Sequence, residues 1–142
     1  MNVEFFLDTN VLIYAFTDQD AAKKSRSREL YELALAGKGI ISYQVVQEFL
    51  NAAQRKFPSR FNESDLREFL DKTLWPICTV FPTRELYQQA ITLQRESGWS
   101  FYDSLIVAAA LAGDCPILYS EDLQSGRKIH GLEVRSPFAY TA

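Results

Sequence analysis

Short apolar runs alternate with longer segments of helical spacing along nearly the whole chain, and this alternation limits the fold more than any other feature. Val3 to Leu7, Ile40–Ile41, Ile77 to Phe81, Pro116 to Ser120 and Leu132 to Arg135 read as strands. Thr9 or Asn10 caps a helix from Val11 to Phe16. A second helix spans Ala21 to Ala36, with Leu30, Tyr31, Leu33 and Ala34 near helical spacing and Gly37 at its end. Ser42 caps Tyr43 to Lys56, and Pro58 marks the loop beyond. Asn62 or Ser64 starts a helix through Leu74, stopped by Trp75-Pro76. Thr83 caps a helix to Ser97, closed by Gly98, and Ser100 caps Phe101 to Ala112, closed by Gly113. Strands separated by helices predict an α/β fold with a mainly parallel sheet. No linker-like stretch, repeat or low-complexity segment interrupts the 142 residues, so a single domain over 1–142 is expected.

No apolar stretch reaches the roughly 18 residues of a membrane span. The start, Met1-Asn2-Val3-Glu4, lacks a basic region and a cleavage site of the secretory kind. Cys78 and Cys115 are isolated and read as core positions without metal-site spacing. Two free thiols and no export signal give a cytoplasmic expectation.

Four acids stand against buried elements. Asp8 closes the first apolar run, and Asp122 follows the run ending at Ser120. Glu48 lies at the margin of the stripe Val45, Val46, Phe49, Leu50, Ala53, and Asp103 opens the apolar segment Leu105 to Ala112. Each has an ordinary reading. Asp8 and Asp122 suit turns, Glu48 suits a boundary side chain reaching water, and Ser100 with Asp103 approximates a capping box that also favours the helix dipole. Together they fit a shared site better. Ligands of open parallel sheets bind beyond the strand C-termini, and carboxylates near a core need a compensating charge. Oxygen ligands of this kind suit Mg²⁺, which is usually held by few direct carboxylates and several waters.

Four segments resemble the PIN-domain ribonucleases, and within them the VapC-like toxins of prokaryotic toxin–antitoxin pairs. They are Phe6-Leu7-Asp8-Thr9-Asn10-Val11-Leu12; Ile41-Ser42 with Val45, Val46 and Glu48-Phe49; Ser100-Phe101-Tyr102-Asp103-Ser104-Leu105-Ile106; and Leu118-Tyr119-Ser120-Glu121-Asp122-Leu123. The resemblance runs from Val3 to about Val134. It implies a PIN-like single domain, with helices on both faces of the sheet. Metal-binding, catalytic acids are implied at Asp8, Glu48, Asp103 and Asp122, with supporting polar residues at Asn10 and Ser120. Glu121 competes with Asp122 for the fourth place, and register favours Asp122. Mg²⁺ or Mn²⁺ dependence, endonucleolytic RNA cleavage, a homodimer, and a small DNA-binding antitoxin as inhibitor are implied as well. The antitoxin would insert an arginine among the acids, with its apolar segment in a groove near Tyr14, Phe16 and Tyr31.

Other features narrow the chemistry. His130 is the only histidine, in a glycine-flanked tail, which excludes a histidine-pair ribonuclease. No serine or cysteine has a histidine partner for nucleophilic catalysis. The net charge is −3, and without the four acids the remainder carries +1, so bulk charge does not decide for or against RNA. Arg26, Arg55 and Arg127 are the candidate phosphate contacts. Tyr14, Phe16 and Trp99 are assigned to core or contact surface ahead of base stacking. The competing readings are an inactive PIN-like RNA-binding or assembly module, a stand-alone RNA-processing nuclease and an aspartate-nucleophile phosphatase. The last lacks a second acid at Asn10 and a suitably placed lysine motif.

Overall fold

A computed structural model describes residues 2–138. Its centre is a six-stranded sheet in the order β3-β2-β1-β4-β6-β5, formed by β1 (Phe5–Leu7), β2 (Gly39–Ser42), β3 (Cys78–Val80), β4 (Ile117–Tyr119), β5 (Lys128–Ile129) and β6 (Leu132–Arg135). All neighbouring pairs are parallel except the β5–β6 hairpin. β1 lies between β2 and β4, and the chain winds outward from it in both directions. The gap between β1 and β4 is therefore the switch point of the sheet, where a crevice opens beyond the strand C-termini.

The helices are α1 (Thr9–Ala15), α2 (Ala21–Leu35), α3 (Tyr43–Lys56), α4 (Glu63–Glu68), α5 (Arg84–Ser97) and α6 (Phe101–Ala112). α6 carries Leu105 to Ala110 fully inside the core, which explains its apolar character on nearly every side. α3 buries Val45, Val46, Phe49 and Ala53 and leaves Gln47, Asn51 and Arg55 in water. Burying side chains the size of Phe49 contributes about 1.5–3 kcal/mol each. Gly39 is fixed by close approach. A Cβ there would lie 2.2 Å from Cε1 of Phe5 on the neighbouring strand.

Several expectations are corrected. The cap of α1 is neither Thr9 nor Asn10. Asp8 itself caps it, accepting the Thr9 N–H at 2.7 Å, so the helix starts two residues earlier than Val11. The segment read as one helix to Leu74 divides into α4, a π-helical turn Phe69–Leu74 and a 3₁₀ turn Trp75–Ile77. The wider turn carries Phe69 onto Phe49, stacked at 5.6 Å, while Phe61 and Phe16 meet Phe69 edge-on at 5.1 Å. Of the apolar residues at helical spacing in α2, Leu30, Tyr31 and Ala34 are buried, and Leu33 is 42% exposed. His130 is not in a tail. It forms the β5–β6 turn with Gly131, both at positive φ, a pairing suited to a tight hairpin. No helix among the described residues is long and apolar enough to cross a membrane. The two cysteines are buried and free.

Candidate functional site

Because β1 and β4 run parallel in register Leu7↔Tyr119, the residues that follow them emerge side by side at the switch point. The Asp8 N–H continues the ladder to the Tyr119 carbonyl at 3.0 Å. Its side chain stays inside, 8% exposed. Oδ1 accepts the Thr9 N–H and Oδ2 accepts the Ser120 hydroxyl at 2.8 Å. Burial is the strongest influence on this carboxyl and pushes it from 3.8 up to about 6. The two hydrogen bonds pull it down, and the negative charges of Glu48 and Asp122 push it up.

Glu48, in the second turn of α3, is held by both oxygens. Oε1 accepts the Thr9 hydroxyl at 2.6 Å, and Oε2 accepts Nε2 of Gln44 at 3.2 Å. The same Nε2 donates to the carbonyl of Tyr102 at 3.2 Å, the residue before Asp103. Asp103 sits in the first turn of α6, where its N–H bonds the Ser100 hydroxyl at 3.1 Å. The reciprocal bond of a capping box is formed at Asn62 and Asp65, not here, and the Asp103 carboxylate makes no hydrogen bond among the described residues.

Glu121 and Asp122 separate clearly. Glu121 accepts from the Tyr14 hydroxyl at 2.8 Å and pairs with Lys23. Burial alone would push its carboxyl up, but the bonds from Lys23 and Tyr14 outweigh it and hold it below the usual range. Asp122 is exposed and acts on Asp8 through its charge. Asn10 accepts the Glu121 N–H at 3.4 Å through Oδ1, while its buried Nδ2 has no partner. Ser120, fully buried, also accepts the Leu123 N–H and so shapes the loop that presents Asp122.

Glu48 and Asp122 thus lie close enough to act on Asp8 through their charges, whereas Asp103 is connected to them only by way of the Tyr102 carbonyl that Gln44 bonds. Among the described residues none of the four acids forms an ion pair. Anionic oxygens without a compensating cation fit a hard divalent ion in chemistry and charge. Their spacing is wider than a shared inner shell, for no three acidic, histidine or cysteine side chains among the described residues converge closely enough to hold one ion together.

The three candidate phosphate contacts differ. Arg127 places its guanidinium 4.3 Å over the Trp99 ring and donates to the Ser97 carbonyl at 3.3 Å, with no acid partner among the described residues. It ends the loop that begins near Asp122, and Trp99 precedes the cap of α6. Arg26 is committed to Glu29 and to the Pro137 carbonyl. Arg55 lies in the last turn of α3, about 10 Å further along the helix than Glu48. The aromatic residues beside which a groove is expected, Tyr14, Phe16 and Tyr31, make ring contacts within the chain. Phe16 packs edge-on against Tyr31, Phe49 and Phe69, and Tyr14 against Phe138. Sequence reasoning missed Gln44 as part of the site. A glutamine one helical turn before Glu48, within a buried stripe, was the available signal.

The fold and the placement of the acids define an α/β domain with carboxylates gathered at the switch point of a mainly parallel sheet. A profile of the PIN domain matches residues 5–127. The chain belongs to the PIN domain family. A sequence comparison with curated proteins finds no match. Among solved structures, the fold is similar to a chain of a toxin–antitoxin complex from Klebsiella pneumoniae, with TM-score 0.69 and 17% identity over 96% of this chain and 100% of that one. It is also similar to DNA-bound VapBC from Salmonella typhimurium, with TM-score 0.68 and 16% identity over 96% and 99%. The sarcin–ricin loop cleaving toxin VapC20 of Mycobacterium tuberculosis aligns with TM-score 0.61 and 18% identity over 84% and 90%. Identities this low establish a shared fold.

Proposed function

We propose that the chain is a metal-dependent endoribonuclease and the toxin of a toxin–antitoxin pair. The observation that carries the nuclease reading is Asp8, a nearly water-excluded carboxyl faced by Glu48 and Asp122 with no cation to offset them. Asp8 would hold Mg²⁺ or Mn²⁺ directly, and Glu48, Asp103 and Asp122 would hold its waters. A bound divalent ion supplies activation of water and stabilisation of the leaving oxygen in phosphodiester cleavage. Ser120 and the Thr9 N–H keep Asp8 oriented, and Thr9 with Gln44 keeps Glu48 facing it. Arg127, preordered on Trp99 and without an acid partner, is the strongest candidate to hold an RNA phosphate beside the acids. The fold-wide similarity to chains of toxin–antitoxin complexes supports a small antitoxin partner, and a homodimer acting in the cytoplasm completes the reading.

The test is expression in a prokaryotic host. The chain alone should arrest growth and fragment cellular RNA, while Asp8→Asn should do neither at equal soluble yield. Co-expression with the small protein encoded beside it should restore growth. A harmless wild-type chain would remove the toxin reading, and intact RNA on treatment with the purified chain and Mn²⁺ would remove the nuclease reading.

A further inference from the structure

Gln44 is the polar side chain that joins Glu48 to the backbone of α6 just before Asp103, and it does so from a nearly buried position, 4% exposed, in the first turn of α3. Its Nε2 has two hydrogens and two acceptors: Oε2 of Glu48 and the carbonyl of Tyr102, each at 3.2 Å. Neither partner can donate, so the amide is fixed in this orientation. Rotated, it would set Oε1 against a carboxylate. Oε1 itself is buried without a partner.

The bonds continue on both sides. Glu48 Oε1 is held by Thr9, the residue after Asp8, and Tyr102 precedes Asp103. One connected path therefore runs from Asp8 through Thr9, Glu48 and Gln44 to the first turn of α6. We infer that Gln44 is a positioning residue that sets the distance between Glu48 and Asp103 and so holds the pocket ready for a divalent ion. This inference rests on the metal-dependent reading of the four acids. Gln44 acts on the ion only through Glu48 and α6, the arrangement by which outer partners of a metal site tune its affinity.

The experiment compares wild type and Gln44→Met after chelator treatment, using Mn²⁺ alone as the probe. Calorimetry should show Mn²⁺ bound about 10–100-fold more weakly by the variant, with an unchanged or higher metal-free melting temperature. In RNA cleavage at saturating Mn²⁺, kcat should fall while KM stays within about twofold, because no RNA contact is removed. In the wild-type protein, the two Gln44 side-chain amide protons should exchange slowly and shift on Mg²⁺ titration together with Glu48. That measurement decides the matter if the variant does not fold. Tight wild-type Mn²⁺ binding that Gln44→Met leaves unaltered, or amide signals indifferent to saturating Mg²⁺, overturns the inference alone. A wild-type chain that binds no Mn²⁺ overturns the metal reading and this inference with it.

Discussion

The Ser120 hydroxyl donates a 2.8 Å hydrogen bond to Oδ2 of Asp8 across 112 positions of sequence, joining the ends of two adjacent parallel strands. The bond favours the charged form of Asp8 and works against burial, which pushes the carboxyl up to about 6. Ser120→Ala removes that help, so Asp8 should take up a proton at still higher pH. The acidic limb of the pH–rate profile for RNA cleavage should move upward, with the alkaline limb unchanged. A profile identical to wild type would show that Ser120 serves only the loop to Leu123.

The same carboxyl makes a prediction about stability without metal. Its folded value, about 6, lies above the ordinary 3.8, so between these values the native chain binds more protons than the unfolded one. The favourable contribution is complete below about 3.8 and is lost as pH rises through about 6. Ionising Asp8 therefore costs the metal-free fold about 3 kcal/mol near neutrality. Thermal melts in chelator should find Asp8→Asn more stable than wild type at pH 7, with the advantage shrinking by pH 4.5. A constant difference across that range would contradict the burial argument.

Glu121 and Asp122 should separate cleanly. Asp122→Asn is expected to reduce Mn²⁺ affinity and cleavage about tenfold or more, the scale of lost support at a metal site. Glu121→Gln should leave both within about twofold, because that side chain is engaged by Tyr14 and Lys23. Parallel calorimetry and cleavage assays on the two variants check this, and the reverse order of effects would exchange their roles.

Much of the fold was legible because the punctuation was local. Thr83 and Ser100 cap their helices with side-chain bonds, and Gly98 closes α5 in the left-handed region, all within a few residues of the signals that announce them. The π-helical turn at Phe69–Leu74 was not legible, since it goes with tertiary contacts of Phe69, stacked on Phe49 and edge-on to Phe61. The β5–β6 hairpin was hidden by its two-residue first strand. At the site, the acids stand out because charge beside apolar runs is conspicuous. Gln44 does not, because a glutamine in a helix is ordinary until its two acceptors are seen in space.

Arg127→Ala should raise KM for RNA about tenfold with little change in kcat, and it should reduce the salt dependence of binding. Arg26→Ala should change binding less, since Glu29 already offsets that charge. Fluorescence anisotropy with a labelled RNA at two salt concentrations measures both. Equal losses from the two variants would argue for a diffuse basic surface in place of a contact fixed on Trp99.

On the metal-dependent reading, the acids around Asp8 hold a divalent ion that RNA cleavage requires. The most direct measurement is cleavage of a defined RNA by the purified chain in chelator, then after adding back Mn²⁺, with Asp8→Asn alongside. The expected result is no cleavage in chelator, full recovery with Mn²⁺, and an inactive but folded Asp8→Asn protein under both conditions. Undiminished cleavage in chelator, or full activity of Asp8→Asn with Mn²⁺, would contradict it.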